Sequence, residues 1–164
     1  MTKNKIIELF EKVQKIPYYL LRHRDSKKIF ELNKGYCSEK NIWLGNEYKK
    51  MGLKVKYYLV KFRWEELPIP KDILNLFDEK IHYHLAMKVK LDGEWIWVDP
   101  TWDPELEKAG FPVTKNWNGK SDTKLAVKPL EIKEYEPQDP TDTNIKKEFM
   151  DEFNNYLEKI RGHK

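Results

Sequence analysis

The chain holds one cysteine, Cys37, among its 164 residues. An intramolecular disulfide is therefore excluded, as is any zinc finger built from cysteines, and stability has to come from packing. Long apolar runs are missing too, since none approaches the roughly 18 residues needed to span a bilayer. Residues 1–15 interleave Lys and Glu with apolar residues and lack the unbroken apolar stretch of a secretory signal. These absences predict a cytoplasmic protein with no membrane partner. A dominant charge sign is lacking as well: Lys+Arg 31 against Asp+Glu 27 leaves +4, with both signs interspersed. Nothing in that balance asks for nucleic acid.

Aromatic residues, in contrast, are plentiful. Six Trp, nine Tyr and seven Phe can build a core although 35% of the residues are charged. The length suits one domain over 1–164, because domains usually hold roughly 100 to 200 residues.

Ile6, Leu9, Phe10, Val13 and Ile16 recur at helical spacing until Pro17, which predicts a helix over about 3–16. Asp25 or Ser26 can cap a short second helix carrying Ile29, Phe30 and Leu32, before Gly35. Ile42, Leu44, Gly45, Tyr48 and Met51 predict a helix over 38–51 that Cys37 opens and Gly52 closes. Val55 to Trp64 reads as a strand, followed by a short helical stretch near 72–77 that could serve as a lid. His82 to Leu91 alternates, Asp92-Gly93 signals a hairpin, and Glu94 to Asp99 returns antiparallel. A helical turn up to Gly110 follows. Residues 111–142 are turn-rich, with one strand expected near 125–127, and Ile145 to Ile160 closes the chain as an amphipathic helix.

The hairpin places chemistry. With a two-residue loop, Leu91 pairs with Glu94, Ala86 comes opposite Asp99, and His84 opposite Thr101. His84 and Asp99 are then diagonal neighbours on one face, with Cα atoms ~7 to 8 Å apart, near enough for a carboxylate to hold an imidazole. Cys37 opens a helix, where the dipole and unpaired amides stabilise a thiolate and can hold an oxyanion. Nucleophile, base and orienter are all present.

Gly35-Tyr36-Cys37-Ser38-Glu39-Lys40, the helix ending at Met51-Gly52-Leu53, His84 near the start of a strand, and Trp97-Val98-Asp99-Pro100-Thr101 together resemble the transglutaminase-like superfamily of papain-related cysteine enzymes. The likeness covers residues 17–104, and its order of Cys, His and Asp matches. It implies an α+β fold with a cysteine-bearing helix packed on an antiparallel sheet; the helical periodicity at both ends adds flanking N- and C-terminal helices, with a C-terminal wrap and helix over 111–164. It also implies acyl transfer through a thioester, on a protein or peptide substrate, with no cofactor and no metal. Cys37, His84 and Asp99 are the implied catalytic residues. Where many relatives carry Trp two residues beyond the His, this chain has Ala86, and no acidic cluster resembles a calcium site.

Tyr18, Tyr19 and Tyr36 can donate to an oxyanion. Trp97 and Trp95, on the face of His84, can floor a cleft or pack under the Cys37 helix. His82 and His84 form a His-x-His pair that could ligate zinc with Cys37 or Asp99, or His82 could act as a second base opposite Asp103. The residues leave two functions open: a cysteine-dependent hydrolase or acyltransferase acting on an amide, with hydrolysis preferred, and a catalytically silent module that binds a protein or peptide. They do not set the oligomeric state.

Overall fold

A computed structural model describes residues 2–162; Met1, His163 and Lys164 lie outside the described residues. The chain is a mixed α+β structure. Its helices are α1 (Thr2–Gln14), α2 (Ile29–Leu32), α3 (Cys37–Lys50), α4 (Lys71–Leu74) and α5 (Lys147–Ile160). Its strands are β1 (His23–Arg24), β2 (Val55–Arg63), β3 (Ile81–Leu91), β4 (Glu94–Trp97), β5 (Glu131–Glu134) and β6 (Thr141–Asp142). An antiparallel four-stranded sheet runs in the order β4-β3-β2-β5, and β1 pairs with β6 separately. Among the described residues no helix is long and apolar enough to cross a membrane.

Asp92 and Gly93 both take positive φ, 51° and 82°, so the hairpin turns in two residues and Leu91 pairs with Glu94 as the dipeptide predicts. That register sends Tyr57, Met87, Val89 and Ile96 to the face that meets α1 and α3, where they join Phe10, Ile42, Leu44 and Tyr48 in one apolar cluster. Helix and sheet approach closely at Gly45: a Cβ there would lie 2.1 Å from the Tyr57 hydroxyl, so only glycine fits. Trp95 and Trp97 alternate with Ile96 onto the opposite face. They do not pack under the cysteine helix; Lys56 covers Trp95, while Tyr58 and Lys88 meet Trp97.

A second cluster gathers Val60, Phe62, Trp64, Ala86, Trp102 and Phe111 against Phe149, Phe153 and Leu157 of α5. Phe77 stacks on Phe149 at 4.8 Å, and α4 packs on α5 beneath these rings rather than over Cys37. One end of α5 is tied down by a buried ion pair. Arg161 donates from Nε and Nη2 to the two carboxylate oxygens of Asp103, each at 2.8 Å, and Nη2 also donates to the carbonyl of Tyr18.

Two expectations fail in physically instructive ways. The β3–β4 ladder ends at Lys88 and Trp97, so Ala86–Asp99 and His84–Thr101 are not ladder pairs. Pro100 has no N–H to continue it, and the Asp99 N–H donates instead to Thr123 Oγ1 at 2.8 Å. Residues 125–127 form no strand. The Ala126 N–H donates to Asp99 Oδ2 and its carbonyl accepts from Trp102 Nε1, so both groups are spent on side chains, and the strand forms at Glu131–Glu134 instead.

Candidate active site

Helix α3 begins at Cys37 because the chain before it is extended and capped. Tyr36 has φ −86° and ψ 168°. Its N–H donates to Glu39 Oε1 at 2.8 Å, while Glu39 Oε2 accepts from the Asp25 N–H at 2.9 Å. One carboxylate thus fixes the start of the cysteine helix and the preceding loop together. One turn later, Asn41 Nδ2 donates to the carbonyls of Cys37 and Leu85, joining the helix start to β3.

His84 and Asp99 meet on the sheet side of that start. His84 Nε2 donates to Asp99 Oδ2 over 2.8 Å, and the ring and Cys37 wall the same narrow pocket. With Nε2 engaged by the carboxylate, Nδ1 is the nitrogen left for sulfur. Burial alone would disfavour charge on His84, but the carboxylate of Asp99, its hydrogen bond and the neighbouring Cys37 push it up to about 10. Asp99 is lowered. Burial opposes its charge, yet His84, Thr101 and the Ala126 N–H all favour it. Its Oδ1 accepts from the N–H and the hydroxyl of Thr101, so both oxygens are satisfied and the imidazole has a fixed partner.

Tyr36 lies on the other flank. Its hydroxyl sits 3.3 Å from His82 Nε2, and the residue lines both depressions that reach Cys37. Burial, then the Cys37 charge, raise the phenol, so it remains an O–H donor beside the sulfur. His82 is pushed down to about 4 by burial, Arg24 and His84, and its ring stacks on Trp64 at 5.2 Å. It pairs with Phe62 across the sheet, and Asp103, its expected partner, is committed to Arg161 and to the Tyr18 N–H. Among the described residues no group of three or more His, Cys, Asp or Glu side chains is placed to hold a metal ion.

Two depressions meet at Cys37. One is an open groove of about 180 Å³ lined by Arg24, Tyr36, Ser38, Tyr83, Tyr135 and Gln138, among others. The other is a slit of about 10 Å³ walled by Tyr18, Phe62, Trp64, His84 and Trp102. Tyr18 and Tyr36 therefore border the sulfur. Tyr19 and Trp97 line neither depression: Tyr19 lies under Lys34 and Arg161, and Trp97 sits further along the hairpin with Lys88. Cys37 and His84 are each 3% exposed, so the open groove is the approach to the sulfur.

Sequence reasoning misses four contributors. Thr101 carries a signal, because an Asp side chain often hydrogen-bonds the backbone two residues on. Thr123, Arg24 and Lys40 carry none. Lys40 is fully buried, and its Nζ donates to the carbonyls of Gln14, Ile16 and Thr101 at 3.1, 2.7 and 2.8 Å. Burial pulls it down to about 7, with Asp103 opposing. It ties the end of α1 and the peptide after Asp99 to the cysteine helix.

Compared with family models, curated proteins and solved structures, the chain matches none.

Proposed function

We propose that this chain is a cysteine-dependent acyl-transfer enzyme with a transglutaminase-like core, hydrolysing an amide in a protein or peptide substrate. The observation that carries the reading is the buried line from Cys37 through His84 to Asp99, closed by the 2.8 Å bond between imidazole and carboxylate.

In the reaction, the Cys37 thiolate attacks the carbonyl carbon and the carbonyl oxygen becomes negative beside the Cys37 N–H and the Tyr36 hydroxyl. The imidazolium of His84 gives its proton to the amide nitrogen, the C–N bond breaks and the amine leaves. Water then attacks the thioester while His84 takes its proton. The C–S bond breaks, the carboxylic acid is released, and thiolate and imidazolium are restored. Asp99 keeps the ring oriented and stabilises its charge throughout. Water is preferred over an amine as acceptor because no side chain identifies an amine site.

The near-complete burial of Cys37 favours a second reading, a silent module that uses the same groove only to bind a peptide. Iodoacetamide at about pH 6 separates the two, since an activated cysteine is alkylated faster than a free thiol at that pH. Alkylation of Cys37 no faster than free thiol, unaffected by His84→Ala, would sink catalysis. An acyl group trapped on Cys37 and identified by mass spectrometry would support it.

A further inference from the structure

Arg24 is a cation at the mouth of the site that forms no ion pair among the described residues. Its guanidinium lies 3.5 Å over the centre of the Tyr36 ring, its Nε donates to the Leu21 carbonyl at 3.1 Å, and the pairing of β1 with β6 holds its backbone. Nη2 is shut off from water and has no acceptor. The neighbouring carboxylates are committed elsewhere. Glu39 accepts from the Tyr36 and Asp25 amides, Asp139 accepts from the N–H and hydroxyl of Ser26, and Asp142, which also lines the groove, pairs with His23 at 2.7 Å.

A partly buried guanidinium that forms no ion pair has lost hydration and, in counter-charge, recovered only the longer-range attraction of Glu39. Arginine's planar fork matches a carboxylate, so a ligand that carries one would recover that loss through charge-assisted hydrogen bonds. Arg24 and Cys37 line the same groove, together with Ser38 and Gln138, whose polar groups can complete such a seat. We infer that Arg24 is a specificity residue for a substrate bearing a carboxylate close to the scissile amide. This rests on the acyl-transfer reading of Cys37 and adds a substrate class to it.

The test uses two alkylating reagents that differ in charge. Iodoacetate and iodoacetamide each form an S–C bond through their methylene carbon with loss of iodide, leaving a carboxymethyl or carbamoylmethyl group on sulfur, but only iodoacetate offers a carboxylate. The rate ratio of iodoacetate to iodoacetamide at Cys37 is expected to fall about tenfold in Arg24→Gln, and less in Arg24→Lys, which keeps the charge and loses the fork. A second measurement needs no variant. N-acetylglycine, with a terminal carboxylate, and the α-amide of N-acetylaspartic acid, with a side-chain carboxylate, are compared with neutral N-acetylglycinamide for protecting wild-type Cys37 from iodoacetamide. At least one carboxylate is expected to protect where the neutral amide does not, and which one tells a terminal from a side-chain carboxylate. An unchanged ratio in folded Arg24→Gln, or equal protection by all three compounds, overturns the inference while leaving a reactive Cys37 in place. A sulfur inert to both reagents overturns the acyl-transfer reading, and this inference with it.

Discussion

The two flanks of Cys37 are built differently. On the His84 flank, Asp99 takes four hydrogen-bond donors on its two oxygens, and its own N–H is accepted by Thr123. On the Arg24 flank, the guanidinium has a buried nitrogen with no acceptor, and the groove beside it is open. A fully satisfied network holds one geometry and is costly to disturb, whereas an incomplete one is stabilised by whatever completes it. The first suits groups that must move a proton over a fixed distance. The second suits recognition.

Breaking the wired flank gives the largest expected effect. His84→Ala should slow iodoacetamide alkylation of Cys37 at about pH 6 by roughly 10³-fold, within the range for loss of a general acid-base group. Asp99→Asn keeps the shape but removes the charge, with an expected slowing of ~10²-fold. It should also lower the pKa of His84, so the imidazole, held up to about 10 in the wild type, loses its proton at lower pH in an NMR titration. An unmoved titration would show that Asp99 does not govern the ring.

Two buried cations sharpen the comparison through stability. His84, raised to about 10, stabilises the fold fully below its ordinary value near 6.5, and that contribution is lost as pH rises through about 10. Lys40 is lowered to about 7, so its burial disfavours the fold at low pH and the penalty lifts as pH rises from about 7 toward its ordinary value. The two slopes oppose each other between about 7 and 10. Lys40→Met removes one of them and leaves three carbonyls without a donor, with an expected loss of a few kcal/mol. Urea unfolding at about pH 7 and about pH 9.5 should show its stability falling more steeply with pH than the wild type's. Thr123→Val is the mildest break. Leaving the Asp99 N–H without its acceptor should cost ~1–3 kcal/mol, with a smaller change in alkylation rate than Asp99→Asn.

The wired flank is largely legible in the amino-acid order, because short-range rules reach it. Asp92-Gly93 sets the hairpin, period-two alternation puts His84 and Asp99 on one face, and the run without proline after Gly35 starts a helix at Cys37. The same counting fails after Trp97, where Pro100 ends the ladder and Thr123 and Ala126, distant in sequence, supply the missing partners. Arg24 and Lys40 are illegible for another reason. Both are cations that composition assigns to the surface, and only the pairing of β1 with β6 or the convergence of three segments on one amine draws them inward. Trp97 shows the limit of parity: it shares the face of His84 and lies too far along it to border the sulfur.

The ion pair between Asp103 and Arg161 spans 58 positions. Asp103 also feels the buried amine of Lys40 and accepts from the Tyr18 N–H, and what Arg161 adds is a fork that holds both carboxylate oxygens. Seating the end of α5 therefore tightens the same loop that carries Asp99 and Thr101.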